Sequence, residues 1–302
     1  MGNVGLVAAF FGAGAAASWG VSDFLAARAL KSLGPLHVAF MVNVIAATLF
    51  TAVFFLLLGP HRWTSWNGAF CAISGGILYA AGMVSFFKGL QLGPVTAVSP
   101  LSSVYPFVTA FVGVAAFGAS LSLIQALGVV VVVSGVAAAA GLAESKEKSI
   151  GSTRRRKLGP GPARAIAAAV CWGVGFSLVG QAAAKIGWET TTALELAAAA
   201  AVFTLLLGSV AVPTLPLSRP ALSLALNRFV VGSAIIQLAG TLSFNFGLTW
   251  DRNAGAIVSA VSATYPLVTV VLAIKHFRER IRVIPLVGAV AAIVGVMVLA
   301  LG

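Results

Sequence analysis

Long runs of apolar residues, separated by short polar or Pro/Gly-containing breaks, make up most of the chain. A helix needs about 20 mostly apolar residues to cross a bilayer. Helices are expected because open backbone cannot be satisfied in lipid, and the runs lack the alternation of barrel strands. The sequence therefore predicts an all-α integral membrane protein with ten transmembrane helices, near residues 4–29, 34–58, 67–90, 95–117, 122–142, 163–185, 190–212, 229–250, 253–275 and 282–301.

The distribution of charge supports a membrane location. Only 9% of the 302 residues are charged and 60% are hydrophobic, whereas a soluble domain carries about 25% charged residues. A net charge of +12 would suggest nucleic acid in a soluble protein, but with ten spans all but three of the 19 basic residues fall on one side. That side is predicted to be cytoplasmic in the cell (inner) membrane, with both termini outside. We expect no nucleic-acid partner.

One nine-residue segment occurs twice. Residues 98–106 read VSPLSSVYP and residues 258–266 read VSAVSATYP. Both copies lie inside apolar runs, where a proline removes a backbone hydrogen bond and kinks a helix. Further matches follow in the same order along both halves: Trp19-Gly20 with Trp172-Gly173, Ser85-Phe86 with Ser243-Phe244, and Gly128 with Gly288.

These matches predict an internal repeat of five helices. The first repeat is residues 1–142, the second is residues 163–302, and residues 143–162 form a basic linker predicted to be cytoplasmic. Because five is odd, the second repeat must enter the membrane from the opposite side. The predicted repeats are thus inverted, an arrangement that many secondary transporters use for alternating access.

The same residues resemble a known family. The Trp-Gly pairs and Ser…Tyr-Pro segments, with Phe277-Arg278-Glu279-Arg280, are similar to the drug/metabolite transporter superfamily in its ten-helix form with two EamA-type repeats. The turn at Gly118-Ala119-Ser120 lacks the family's glutamate. Asn43 and Glu195 stand where many EamA repeats carry an arginine, which argues against an anionic substrate. The resemblance implies a central substrate cavity and export of amino acids or other small metabolites.

Two carboxylates inside predicted spans are candidates for function, because a charge near the bilayer centre costs about 2.5–3.5 kcal/mol on insertion scales. Asp23 follows Trp19 by four residues, on the same helix face. It either faces the cavity, or reaches water or Arg28 near the helix end. Glu195 either binds an ammonium group or a proton in the cavity, or lies at the interface and pairs with Lys185.

The remaining candidates are uncharged. Each Tyr-Pro pair either presents a hydroxyl to the cavity or marks a kink whose free carbonyl, near Leu101 and Val261, is satisfied by a serine. The Trp19 and Trp172 rings either face a planar or cationic substrate or pack between helices. Other polar residues are cavity candidates or interhelical hydrogen-bonding groups. The predicted substrate-binding set is Trp19, Asp23, Asn43, Tyr79, Ser102, Tyr105, Trp172, Glu195, Gln237, Asn245, Ser262 and Tyr265.

We therefore expect a secondary active transporter, not an enzyme. It would export a small amine-bearing metabolite such as an amino acid by alternating access, with proton coupling at Asp23 or Glu195. A sugar-phosphate or nucleotide-sugar exchanger is the first alternative, and a membrane-embedded lipid enzyme or scramblase is the second. The expected partners are the substrate and the lipid bilayer, with a monomer or homodimer as the assembly and no cofactor or metal.

Overall fold

The computed structural model describes residues 2–54, 65–117, 159–209, 227–249 and 258–277 except 260, with short stretches inside 123–135 and 287–298. The regular structure in this part of the chain is helical. Its main helices are α1 (Gly2–Ala29), α2 (Pro35–Val53), α3 (Trp66–Leu92), α4 (Val95–Ser102), α5 (Tyr105–Phe117), α6 (Pro160–Ser209), α7 (Arg228–Thr249) and α8 (Tyr265–Phe277).

Apolar helices of membrane-spanning length are present, as predicted. Within the described residues, five segments are long and apolar enough to cross a bilayer: Pro35–Val53, Trp66–Leu92, Ala97–Ala116, Pro160–Gly208 and Arg228–Leu248. The apolar, helical character confirms the prediction of an all-α membrane protein. Predicted spans 122–142 and 282–301 are described only in short helical stretches, and most of the linker 143–162 lies outside the described residues, so the count of ten remains a prediction.

Helix α6 has 50 residues, about 75 Å at 1.5 Å per residue, whereas the hydrocarbon core is about 30 Å thick. It is interrupted at Gly187, which has φ 78° and ψ 159°. Val179 and Glu195, eight residues before and after this break, lie against the neighbouring glycines Gly75 and Gly76 of α3. The chain therefore reverses at Gly187, and α6 supplies two antiparallel segments where the sequence predicts the sixth and seventh spans.

The duplicated segments interrupt the helices in which they lie. In the first copy α4 ends at Ser102 and α5 begins at Tyr105. Pro106 lacks an N–H, and Pro100 lies inside α4. In the second copy the backbone turns at residues 263–264 before α8 begins at Tyr265. Both breaks place a tyrosine at the first position of the following helix.

The first helix of each half packs mainly against helices of the other half. Helix α1 packs against α7 and α8 of the second half, while α6 packs against α3, α4 and α5 of the first half. The helix pair α4 and α8 also makes direct contact. This packing brings the duplicated segments and both Trp-Gly pairs together at the centre of the protein.

Candidate functional site

Two reciprocal hydrogen bonds join the duplicated segments. The Tyr105 hydroxyl lies 2.7 Å from the Ser262 hydroxyl, and the Tyr265 hydroxyl lies 2.5 Å from the Ser102 hydroxyl. All four side chains are buried. A later residue in one segment meets an earlier residue in the other, so the segments run antiparallel. A contact that repeats with its partners exchanged is the pattern expected around a two-fold axis.

Each serine also bonds to the backbone of its own segment. Ser102 Oγ donates to the Ser99 carbonyl (2.8 Å), and Ser262 Oγ donates to the Ser259 carbonyl (2.9 Å). The prediction that these serines satisfy carbonyls near Leu101 and Val261 is therefore wrong in its acceptor.

A different residue serves the second of those carbonyls. Thr264 Oγ1 donates to the Val261 carbonyl at 2.7 Å. The Ser99, Ser259 and Val261 carbonyls thus accept side-chain hydrogen bonds from within their own segments. The tyrosine hydroxyls are left to join the two halves.

The Trp-Gly pairs are held by threonines that follow the Tyr-Pro pairs. Thr109 Oγ1 donates to the Gly173 carbonyl (3.0 Å), and Thr269 Oγ1 donates to the Gly20 carbonyl (3.1 Å). A Cβ at Gly20 would collide with the Tyr265 carbonyl. A Cβ at Gly173 would collide in the same way with the carbonyl of Tyr105. The glycine after each tryptophan thus permits the close approach of two helix backbones.

Each indole ring packs against a glycine of the other repeat. Trp172 covers Gly82 on α3, and Trp19 covers Gly240 on α7, leaving no room for a Cβ at either glycine. Trp172 Nε1 donates to the Tyr79 carbonyl at 3.3 Å. Trp19 Nε1 is buried and has no hydrogen-bond partner within the described residues. The packing interpretation of both tryptophans is correct, and it coexists with a position beside a cavity.

A cavity opens where these elements meet. Its empty space, the open mouth included, is about 330 Å³. It is lined mainly by aromatic side chains, with one carboxylate and one amide: Trp19, Asp23, Tyr79, Met83, Tyr105, Trp172, Phe176, Gln237 and Tyr265. The cavity therefore lies between the two repeats and takes residues from both.

Asp23 is the one charged residue among these lining residues. It is 7% exposed, and within the described residues nothing donates a hydrogen bond to its carboxylate. The expected alternative, pairing with Arg28, is not what the structure has. The Arg28 guanidinium lies over the Phe229 ring, 4.3 Å from its centroid. A buried carboxylate without a partner is costly unless a cation or a proton neutralises it.

Equivalent positions of the two repeats line the cavity, but the residue types at these positions differ. Asp23 and Phe176 both follow the repeated tryptophan by four residues, so the position that holds a carboxylate in the first repeat holds an aromatic ring in the second. Tyr79 and Gln237 also occupy equivalent positions, and Gln237 Nε2 donates to the Tyr79 hydroxyl at 3.0 Å. The negative charge consequently lies on one side of the cavity.

Aromatic rings form most of the rest of the lining. Phe176 stacks on Trp19 with a centroid distance of 5.8 Å and an interplanar angle of 5°. It meets Tyr105 edge-on at 5.1 Å and Phe244 at 4.9 Å. These contacts fix the orientation of the rings, because tilted and offset aromatic pairs are favoured over free rotation in a packed cluster.

Glu195 lies in a separate buried cluster, outside the cavity lining. Asn245 Nδ2 donates to Glu195 Oε2 (3.0 Å) and to Thr192 Oγ1 (2.9 Å). Thr192 in turn donates to the Trp188 carbonyl at 2.7 Å. The carboxylate is 2% exposed. The structure thus places Glu195, predicted as a cavity carboxylate, outside the described lining, and its described partner is Asn245.

The predicted binding set divides into two groups. Seven members line the cavity: Trp19, Asp23, Tyr79, Tyr105, Trp172, Gln237 and Tyr265. The other five do not: Asn43, Ser102, Glu195, Asn245 and Ser262. Asn43 is buried, and its Oδ1 has no partner within the described residues. Ser102 and Ser262 position the two tyrosines.

Sequence reasoning missed Met83 and Phe176, which both line the cavity. Met83 follows Tyr79 by four residues, on the same face of α3. Phe176 follows Trp172 by the same spacing that led from Trp19 to Asp23. The repeat itself was the signal that would have identified Phe176. No group of metal-ligating side chains occurs within the described residues.

Comparison with known proteins agrees with this architecture. A model of the EamA-like transporter family matches residues 6–140 and 160–301. A solved structure described as "Crystal structure of protein" is similar in fold, with a TM-score of 0.64 and 18% identity over 96% of this chain and 95% of that one. No curated protein matches the chain. The two matched segments coincide with the two halves identified above, and the chain belongs to the EamA-like transporter family.

Proposed function

We propose that this protein is a secondary active transporter that binds a small amine-bearing solute in the cavity beside Asp23. One observation carries the proposal: among the described residues, the cavity between the two related halves holds one carboxylate, and that carboxylate has no described partner. An ammonium group supplies the missing charge. Amino acids are the first class that the family resemblance suggests, with export from the cell as the expected direction.

The mechanism we propose is alternating access. Equivalent segments of the two halves run antiparallel where Tyr105 meets Ser262 and Tyr265 meets Ser102, which supports inverted repeats. In such transporters the halves rock about a substrate site at their interface, and interrupted helices line that site. The breaks before Tyr105 and Tyr265 lie beside the cavity. A ten-span topology with a cytoplasmic linker in the cell membrane completes the proposal.

We assign the coupling proton to Glu195. Its carboxylate is buried, accepts a hydrogen bond from the neutral Asn245 amide and lies outside the cavity lining. A carboxylate in such surroundings is less costly when protonated. Tyr79 lines the cavity together with Asp23, and Gly76, three residues earlier on α3, packs against Glu195. Helix α3 thus contacts both the proposed substrate site and the proposed proton site.

The alternatives fit the cavity less well. A sugar-phosphate or nucleotide-sugar exchanger requires basic side chains around the phosphate, and neither Lys88 nor Lys185 lines the cavity. A membrane-embedded lipid enzyme requires a catalytic group of acidic or histidine residues. Among the described lining residues, Asp23 is the one acidic residue and there is no histidine, so such a group is missing there.

A test of alternating access does not need the substrate. Cys71 and Cys171 are replaced by alanine, and Met83→Cys places one thiol in the cavity. A membrane-impermeant thiosulfonate reagent is then applied to intact cells and to inside-out vesicles. We expect labelling from both sides. A matched control is Ile77→Cys, which lies on the outer surface of the same helix, where the polar reagent should not react.

Labelling of Met83→Cys from one side only, or from neither side, would contradict alternating access through this cavity. Labelling of Ile77→Cys at the same rate would show that the reagent reaches α3 without passing through the cavity, which would contradict the assignment equally.

A further inference from the structure

We infer that the cavity selects an organic monocation with an aromatic or bulky apolar body, in preference to a zwitterionic amino acid or an anion. The inference rests on the proposed function and narrows its substrate class. It follows from the charge of the lining, from the hydrogen-bond donors already engaged there, and from the arrangement of the rings.

The charge of the lining favours a cation without a compensating anion. Among the lining residues that the structure describes, Asp23 is the one charged member, with no lysine, arginine or histidine. An ammonium group beside Asp23 forms a charge-assisted contact. The carboxylate of a zwitterion would be taken out of water with no cation to receive it, which is costly. An anionic substrate would meet only repulsion from Asp23.

The uncharged donors of the lining are poorly placed for a substrate carboxylate. The Tyr105 and Tyr265 hydroxyls are paired with serines, and Trp172 Nε1 donates to a backbone carbonyl. Trp19 Nε1 is shielded from the cavity by the atoms around it.

Two neutral donor groups remain, the Tyr79 hydroxyl and the second amide hydrogen of Gln237. Both groups share the cavity lining with Asp23. A substrate carboxylate at that position would be repelled by the Asp23 carboxylate when it is ionised. These donors therefore cannot substitute for an arginine or lysine.

The rings favour a large organic cation over a small one. Six of the nine lining residues are aromatic: Trp19, Tyr79, Tyr105, Trp172, Phe176 and Tyr265. Aromatic faces attract organic ammonium groups through the ring quadrupole and also bury apolar surface. Phe176 occupies in the second repeat the position that Asp23 occupies in the first. The ammonium group is therefore placed at Asp23, and the apolar body against the aromatic rings of the lining.

A matched series of ligands tests the inference on the unmodified full-length protein. Phenethylammonium, phenylalanine and 3-phenylpropionate share one ring and differ in charge, being a cation, a zwitterion and an anion. Binding to the purified protein in lipid nanodiscs is measured by isothermal titration calorimetry. We expect phenethylammonium to bind at least about tenfold more tightly than either of the others, and butylammonium to bind more weakly than phenethylammonium.

Two variants that each remove one negative charge, one inside the cavity lining and one outside it, show whether the effect on binding arises in the cavity. Asp23→Asn is expected to weaken phenethylammonium binding by about tenfold or more, because an ion pair is lost. Glu189→Gln, on α6 and outside the cavity lining, is expected to leave that affinity within about twofold. Equal or tighter binding of phenylalanine would overturn the inference, and so would an Asp23→Asn protein that binds the cation normally.

These outcomes are distinct from a failure of the proposed function. Tight binding and transport of phenylalanine would overturn the monocation preference and leave an amine transporter in place. Selective binding of phenethylammonium without any transport would support the monocation preference and contradict the transporter proposal.

Discussion

The hydroxyl of Tyr105 in the first repeat is hydrogen-bonded to that of Ser262 in the second, at 2.7 Å. The equivalent bond joins Tyr265 of the second repeat to Ser102 of the first, at 2.5 Å. These bonds lie where both helices are interrupted by a Tyr-Pro pair. The breaks that form the cavity wall are therefore also the points at which the repeats are joined. The same side chains serve stability and position the site.

Removing one of these bonds should destabilise the protein modestly. Interhelical hydrogen bonds in membrane proteins contribute about 0.6 kcal/mol on average and at most about 1.7 kcal/mol. We expect Ser102→Ala and Ser262→Ala to lower the free energy of unfolding by about 0.5–1.7 kcal/mol each, measured by unfolding in mixed detergent micelles.

Ser103→Ala is the matched control for that experiment. Ser103 is buried beside Ser102, but its hydroxyl donates to the Pro100 carbonyl of its own segment at 2.8 Å. Losing this bond within one segment should lower the free energy of unfolding by less than losing a bond between the repeats. A Ser103→Ala protein as unstable as Ser102→Ala would refute the assignment of a joining role to the Tyr–Ser pairs.

The contacts between tryptophan and glycine predict a second effect. A Cβ at Gly82 or Gly240 would overlap an indole ring, and overpacking of a well-packed core costs about 1–3 kcal/mol. Gly82→Ala and Gly240→Ala should each destabilise by that amount. Gly180→Ala should be neutral or stabilise by up to about 1 kcal/mol, because nothing lies within 4 Å of a Cβ there and alanine favours the helix. Equal thermal unfolding of all three variants would contradict this packing.

The duplicated pattern predicted the centre of the molecule well. Membrane helices followed from the apolar runs, and the repeats followed from matched residues such as Trp19-Gly20 and Trp172-Gly173. Helical spacing was sufficient to place Trp19 and Asp23 on one face, and both line the cavity. Such periodicities are local properties of a helix, and so they can be read before the fold is known.

Partners across the interface were not predictable in the same way. Nothing in the sequence near Glu195 indicates that Asn245, 50 residues away, donates to its carboxylate. Nor does the spacing show that α1 leaves its own repeat to pack against α7 and α8. Which helix faces meet depends on the packing of the whole bundle, and one chain without its relatives carries no direct record of those contacts.

Gly187 makes the reversal of α6 possible. Its φ of 78° and ψ of 159° belong to a region that is accessible essentially to glycine alone. We expect Gly187→Ala to lower the free energy of unfolding by about 1–3 kcal/mol, measured alongside Gly208→Ala. A Cβ at Gly208 meets nothing within 4 Å, so that variant should remain close to the wild type. Unchanged stability of Gly187→Ala would show that the chain does not require this conformation.

Glu195→Gln tests the proposed proton site. Glutamine retains an oxygen that accepts the Asn245 amide hydrogen, so we expect the variant to fold and to bind ligand. It cannot gain or lose a proton, and net uptake into proteoliposomes driven by a pH gradient should therefore fall to the rate seen without a gradient. Unchanged acceleration by the gradient in Glu195→Gln would exclude this residue as the proton carrier.

Exchange of labelled phenethylammonium for unlabelled phenethylammonium across proteoliposome membranes tests the central claim most directly, namely that solute passes through the cavity at Asp23. We predict saturable exchange by the wild type, little or no exchange by Asp23→Asn, and retained exchange by Glu195→Gln, because one-for-one exchange of solute needs no net proton movement. Exchange by Asp23→Asn at the wild-type rate, or wild-type exchange no faster than in empty liposomes, would contradict the account.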